Sequence, residues 1–317
     1  MTNAKEIKKR IKSISNTKKI TKAMEMVAAA KMRKAVEAVL RTRTYANLSW
    51  LTILNISQSS VVGSSLHPLL SDRKKINRIA IVLISSNRGL CGGFNSAIIS
   101  KAVKSIKKHG DIETDFIVVG KKGLSVNSRF GCNVVADFSK ADVISDSSEV
   151  SAIASMAIKE FLSGYYDKVF LAYSDFVNAV KQVPRVRQLL PIDIDSEDEY
   201  LGVVGKGEKL ETSKELIKEK EEKYLKSDKN RFSFIYEPSP EEVLSQMLPR
   251  LIEVQIFQAL LESNASEHSA RMAAMHQATS AAEDLADELT LFYNKARQAS
   301  ITAEISEISA GVSSLNS

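Results

Sequence analysis

Residues 250–310, RLIEVQIFQALLESNASEHSARMAAMHQATSAAEDLADELTLFYNKARQASITAEISEISA, contain neither glycine nor proline. With the two strongest helix breakers absent, the stretch reads as one unbroken helix. At ~1.5 Å per residue it would be ~90 Å long, far beyond the usual globular helix. Residues 1–62 share the same property. Two such helices at opposite ends of one chain do not fit inside an ordinary core. They are expected to lie against each other as a long antiparallel coiled coil, in the manner of a shaft.

The apolar spacing supports this pairing. One seam runs through Leu244, Leu251, Gln258, Ala265, Met272, Thr279, Ala286 and Tyr293. Its companion runs through Met247, Val254, Leu261, His268, Met275, Ala282, Leu289 and Ala296. A repeat of roughly 3.5 residues sustained this long implies a left-handed supercoil. The N-terminal stripe is less regular, passing through Ile7, Ile11, Ile14, Thr17, Thr21, Met24, Ala28, Ala35, Ala38, Tyr45 and Leu48. A helical bundle could use the same stripes as its core. Against it, nothing between the two ends supplies further helices of this length.

Between the helices, residues 76–192 read as a separate α/β domain. The run Ile79–Ile84 has the length of a buried strand, and Phe94–Lys108 follows as an amphipathic helix. Further strands are expected at 115–119, around Val134 and Val135, at 168–173 and at 183–190, with helical stretches at 121–130 and 147–162. Pro184 suits an edge position for the last strand. The alternation predicts a Rossmann-like domain with a mainly parallel sheet. Residues 193–231 form a charged insertion, acidic first and then rich in Lys and Glu, and a short strand at 232–236 brings the chain back. Two helix starts carry capping boxes, Asn3 with Glu6 and Ser239 with Glu242, the second followed by Pro240. Pro249 is expected to bend the last helix, whose range is 239–310.

The 317-residue length and 44% apolar content allow about two domains with a real core. No apolar run is long enough to cross a membrane, and the opening MTNAKEIKKR lacks a signal-peptide apolar region. Cys91 and Cys132 form neither a metal spacing nor a disulfide framework, which fits a reducing compartment. The net charge of +6 is concentrated between Lys5 and Arg43, where only Glu6, Glu25 and Glu37 oppose it. Such a face is either simply solvated or turned towards an acidic partner. Nucleic acid is disfavoured, because neither stacking aromatics nor a recognition module accompanies the charge.

The cluster Gly89-Leu90-Cys91-Gly92-Gly93 follows a strand and precedes a helix, the position of a phosphate-binding loop. Its spacing fits neither the dinucleotide nor the P-loop pattern, and neither does Gly120-Lys121-Lys122-Gly123. A tight turn with positive φ and close helix–sheet packing is the better reading. His67, His109, His268 and His276 make no metal constellation. No catalytic, cofactor-binding or metal-binding residues are expected.

Three segments together resemble one family. They are ITKAMEMVAAAKMRKA at 20–35, NRGLCGGFN at 87–95, and the run from YEPSPEEVL through SEHSARMAAM to YNKARQASITAEISEI at 236–308. In this order they are similar to the gamma subunits of F-type ATP synthases. Three departures stand out. Asn87 replaces a usual aspartate, HQATSAAED at 276–284 lacks a common asparagine, and the charged stretch at 201–230 exceeds that of the shortest members.

The resemblance implies the rotary central stalk of a proton-translocating synthase, with no catalytic site or cofactor of its own. A ring of alpha and beta subunits would surround the paired helices and carry the nucleotide sites. The globular domain would stand with the epsilon subunit on the membrane c-ring, at the cytoplasmic face of a bacterial inner membrane. Rotation would present different faces to three beta subunits and shift their conformational populations. By resemblance, Met24 faces the beta subunits, and Arg271, Gln298, Thr302 and Glu304 hydrogen-bond to the ring. Tyr236 and Glu237 match the foot on the c-ring. The basic first helix would meet acidic segments of the beta subunits, and the absence of Lys and Arg after Arg297 suits a tip turning in an apolar sleeve. Two other classes compete with this reading, a nucleotide-binding enzyme built on the α/β domain and a basic coiled-coil nucleic-acid scaffold.

Overall fold

The computed structural model describes residues 4–58, 67–73, 75–108, 112–141, 148–192 and 237–315. The predicted Asn3 cap, the end of the first helix at 59–62, the charged insertion at 193–231, the strand at 232–236 and Tyr236 lie outside the described residues. Two long helices, α1 (Ala4–Gln58) and α5 (Pro240–Leu315), pair as an antiparallel coiled coil. The chain divides into two compact units, Met1–Ala30 with Arg271–Ser317, and Lys31–Ala270.

In the first unit, Lys18 pairs with Glu283, Thr21 with Thr279 and Glu25 with His276, so residue numbers rise on one helix as they fall on the other. On α5, Met275, Thr279 and Ala282 are buried, and Ala286, Leu289, Tyr293 and Ala296 are half-buried. The steps between them alternate between three and four residues, the predicted seam. On α1 the seam is Ile7, Ile11, Ile14, Thr21, Met24 and Ala28. Thr17, predicted to belong to it, is exposed, and Lys18 is drawn in instead. A lysine can lay its aliphatic stem along the neighbouring helix while its ammonium reaches Glu283, 2.8 Å away. From Arg297 to Ser309 every residue of α5 is exposed. The helix also passes its predicted end at 310, continuing through Gly311 to Leu315. A single glycine in a helix costs only ~1 kcal/mol.

The second unit is built on a five-stranded sheet of β1 (Arg78–Ile84), β2 (Glu113–Val119), β3 (Asn133–Phe138), β4 (Lys168–Phe176) and β5 (Gln182–Leu190), in the order β3-β2-β1-β4-β5. The first four strands are parallel, and β5 runs antiparallel along β4 at the edge, with Pro184 opposite Ser174. Side chains alternate across the sheet. Ile81, Leu83, Phe116 and Val118 meet Ile98, Ile99 and Ala102 of α2 (Phe94–Lys108) on one face. Ala80, Val82, Ile84, Ile117 and Val119 face the other way, into a core shared with α4 (Ser148–Leu162) and with Leu248, Ile252, Ile256 and Leu260 of α5. The predicted helical stretch at 121–130 is a 3-10 turn at Lys121–Leu124 followed by the short α3 (Ser125–Phe130).

Within this unit α1 buries Val39, Ala46 and Ile56, whereas Tyr45 and Leu48, predicted to lie inward, are exposed. A straight helix of ~3.6 residues per turn drifts against a strict heptad, and the inward stripe advances by one residue accordingly. At the start of α5 the N-cap half of the predicted capping box is formed, since Ser239 Oγ accepts from the Glu242 N–H at 3.2 Å. The helix then runs uninterrupted through Pro249.

Candidate functional site

The loop after β1 is the first place to look for chemistry. Its turn places Leu90 at φ 62° and Gly92 at φ 56°. The left-handed region is unusual for leucine, and this side chain projects into solvent. The interior of the loop is filled by the chain itself. Asn95 accepts from the Ser86 N–H at 3.0 Å and donates to the Ser86 hydroxyl at 2.7 Å and to Cys91 Sγ at 3.2 Å. These bonds engage the Ser86, Cys91 and Asn95 side chains with one another inside the loop. The close packing predicted for this cluster occurs at the other glycine pair. A Cβ on Gly120 would come within 2.5 Å of Ser85 O, and one on Gly123 within 2.6 Å of Val118 Cγ1.

An open parallel sheet binds ligands outside the carboxyl ends of its strands, where the strand order reverses. Here that point lies between β1 and β4, and α5 passes across this end of the sheet. Ser266 donates to Ser174 O at 3.1 Å, and Ser269 donates to Ala179 O at 2.5 Å while accepting from Gln182 at 3.1 Å. Asn264 donates to Ala141 O at 3.4 Å, and Lys140 Nζ lies 2.7 Å from Glu267 Oε2. The Lys140 and Glu267 side chains are 2% and 7% exposed, so this is a buried ion pair. Phe94 lies beneath the lysine ammonium, 5.8 Å from ring centre to nitrogen. The crevice that would take a nucleotide in a doubly wound sheet holds the protein's own helix.

Residues 262–269 of α5 are all buried, although seven of the eight are polar. Sequence reasoning assigned Ala265 and His268 of this run to a seam and passed over the rest. Its available signal was a polar segment, free of helix breakers, directly after the apolar run 251–261.

The predicted partner-facing residues lie elsewhere. Met24 is half-buried in the α1 seam, and Gln298, Thr302 and Glu304 stand exposed on the single-helix end of α5. Thr302 Oγ1 donates back to Gln298 O at 2.9 Å. Arg271 is half-buried, and Glu237 is exposed just ahead of α5. Four lysines of the basic first helix divide into two pairs. Lys8 and Lys9 are exposed, whereas Lys18 and Lys22 are held by Glu283 and Glu25. The Lys22 hydrogen bond, with a smaller contribution from His276, lowers the Glu25 carboxyl below its ordinary value, and Lys18 does the same for Glu283. His268 is buried and His276 exposed, and among the described residues no group of three or more His, Cys, Asp or Glu could hold a metal ion.

Known proteins of one family match the chain along almost its whole length. The family model described as ATP synthase matches residues 3–315. The ATP synthase gamma chain of Herpetosiphon aurantiacus is 40% identical over 323 residues, covering 100% of both chains. That of Pelotomaculum thermopropionicum is 40% identical over 315 residues, covering 99% of this chain and 100% of its own. Among solved structures, the central stalk and c-ring of the Tetrahymena thermophila mitochondrial ATP synthase matches with a TM-score of 0.57 and 27% identity, over 82% of this chain and 99% of that one. A chain of the Euglena gracilis mitochondrial ATP synthase, at 18% identity and a TM-score of 0.63 over 98% of this chain and 94% of its own, shares the fold.

Proposed function

Because the chain belongs to the ATP synthase gamma-chain family, we propose that it works as the rotating central stalk of a proton-translocating F-type ATP synthase. It has no catalytic site of its own. It stands on the c-ring, and its helix pair turns inside a ring of alpha and beta subunits, with an epsilon subunit beside the α/β domain. As it turns, differential contact with the beta subunits shifts their conformational populations. The complex lies at the cytoplasmic face of a bacterial inner membrane, and this chain reaches the membrane only through its partners. Among the described residues no helix is long and apolar enough to cross a membrane.

The observation that carries this reading is the end of α5. Ile301, Ile305 and Ile308 are between 48% and 67% exposed on a helix that has lost its partner, with no Lys or Arg among them. An exposed apolar helix of this kind calls for a sleeve supplied by other chains. Gln298, Thr302 and Glu304 on the same segment are placed to hydrogen-bond to that sleeve, and Met24 and Arg271 to meet the ring lower down. Tyr236 and Glu237 form the foot on the c-ring. Exposed Lys8 and Lys9 face acidic segments of the beta subunits.

The test is assembly. Mixed with alpha and beta subunits, the chain should co-purify as one complex that hydrolyses ATP. The double reversal Lys8→Glu with Lys9→Glu should weaken assembly or coupling, and added salt should mimic part of the loss. Exposed pairs contribute only ~0–1 kcal/mol each, so single reversals should be nearly silent. Failure to co-purify, or micromolar ATP binding by the isolated chain in a calorimeter, would overturn the reading in favour of a nucleotide-binding enzyme.

A further inference from the structure

The buried polar run of α5 has a geometry that burial alone does not require. At ~100° per residue, Asn264 and Glu267 lie on one side of the helix, and Ser266 and Ser269 on a side roughly 160° away. Each side is held by a different part of the sheet domain. Asn264 and Glu267 are bound by Ala141 and Lys140, immediately after β3. Ser266 and Ser269 are bound by Ser174 of β4 and by Ala179 and Gln182 of the β4–β5 turn and β5. Asn87 in turn donates to Lys140 O, which ties the first arm to the loop after β1. The helix sits between two opposed jaws.

We propose that these jaws are the drive coupling of the rotor, the place where torque passes between the α/β domain and the C-terminal helix. The inference rests on the central-stalk reading above. Apolar packing beneath the helix, from Leu248 to Leu261, draws it onto the sheet but is non-directional. It resists rotation of the helix about its own axis only weakly. Hydrogen bonds and an ion pair are directional, and they lose energy when their geometry turns. Because they grip opposite sides, rotation in either sense strains one jaw or the other. Three of the partners are backbone carbonyls, Ala141, Ser174 and Ala179, fixed to the sheet without an intervening side chain. Lys140 and Glu267 are positioning residues of this coupling. The same bonds set α5 across the carboxyl ends of β3 and β4.

The experiment uses the assembled complex. One variant opens the first jaw, Lys140→Met with Glu267→Leu, removing both charges together because a lone buried charge would be destabilising in itself. A second opens the other jaw, Ser266→Ala with Ser269→Ala. With the alpha–beta ring immobilised and stalled, a bead on the α/β domain reports angular fluctuation. Each variant should at least double the angular variance, and proton pumping against a large imposed gradient should fall several-fold, while unloaded ATP hydrolysis changes little. Unchanged variance and unchanged loaded pumping in both variants would overturn the proposal. If the charge-pair variant does not assemble, the serine variant decides by the same two readouts. Failure of the central-stalk reading would look different, because the unmodified complex would then show no ATP-driven rotation of the bead.

Discussion

Residues 251–269 and 297–309 belong to one helix and have opposite surroundings. In the first stretch nearly every side chain is buried, including Gln255, Gln258, Glu262 and Glu267. In the second every side chain is exposed, including Ile301, Ile305 and Ile308. Neither obeys the rule that apolar residues go in and polar ones stay out. In the first, most polar groups are tolerated inside because they find partners, Lys140 and sheet-domain carbonyls for Glu267, Asn264, Ser266 and Ser269, and Thr42 of α1 for Gln258, and burial without them would cost several kcal/mol per group. In the second, apolar groups stay outside because none of the described residues covers them. One end is completed by its own fold; the proposed function leaves the other to be completed by other subunits.

The largest expected effect comes from rotating one stretch relative to the other. One residue inserted between Thr279 and Ala282 turns everything beyond it by ~100°. Ala286, Leu289, Tyr293 and Ala296 then leave α1, and both helicity and ATP-driven proton pumping should be lost. A seven-residue insertion at the same place changes the facing by only ~20° but moves the end by ~10 Å. It should keep its circular dichroism and still couple poorly. Equal melting and equal pumping by the two variants would break the comparison, because register would then not matter.

A smaller effect separates the two stretches by truncation. Ile256 is fully buried in the sheet-domain core, and Ile256→Ala should lower the stability of the isolated chain by about 2–5 kcal/mol in a denaturant titration. Ile305→Ala removes the same atoms from an exposed position and should fall within about 0.5 kcal/mol of the unmodified chain. In the assembled complex the order should narrow, with Ile305→Ala now reducing coupling. A large stability loss from Ile305→Ala in the isolated chain would mean that this end is already covered.

The smallest effect concerns the domain that does the holding. Asp167 accepts from the Asn77 and Arg78 N–H groups at 2.7 and 3.1 Å and from Arg73 Nη1 at 3.2 Å. Burial alone would raise its carboxyl, but these donors together hold it below its ordinary value. Because the folded value is the lower one, the stabilisation is present above the unfolded value of about 4 and is lost as pH falls through the folded value. Asp167→Asn should therefore cost about 2 kcal/mol at neutral pH, with the gap to the unmodified chain closing below about pH 4. A gap independent of pH would assign the loss to packing instead of charge.

The helix pair and the sheet were legible because both rest on periodicity. Breaker-free ends, the heptad seam from Met275 to Ala296 and the apolar run Ile79–Ile84 all repeat at a spacing that names their geometry. The two-jaw grip was not legible, and the reason is physical. Three of its partners are main-chain carbonyls at Ala141, Ser174 and Ala179, which every residue possesses and no residue type signals. Its side chains, in ESNASEHS, have the composition of a solvated helix face. Tyr45 and Leu48 were misplaced by a subtler effect, a one-residue drift of the buried stripe that no single heptad reveals, whereas Thr17 is a local exchange with Lys18 in a seam that keeps its register at Ile14 and Thr21. The glycines misled in a similar way. The tight approach lies at Gly120 and Gly123, where much of the crowding comes from Ser85, more than thirty residues away in sequence.

The unpaired end of α5 also has a kinetic signature. A free peptide of its length would be marginally helical, because starting a helix costs far more than lengthening one. This end never has to start, since it grows from a helix already fixed by its partner up to Ala296. Its unwinding is then a fraying from the free terminus, residue by residue, instead of a cooperative melt. Amide hydrogen exchange in the isolated chain should show protection that declines in a gradient from Ala296 outward, while residues 251–269 exchange only through global opening. Docking into a sleeve would replace that gradient with a step.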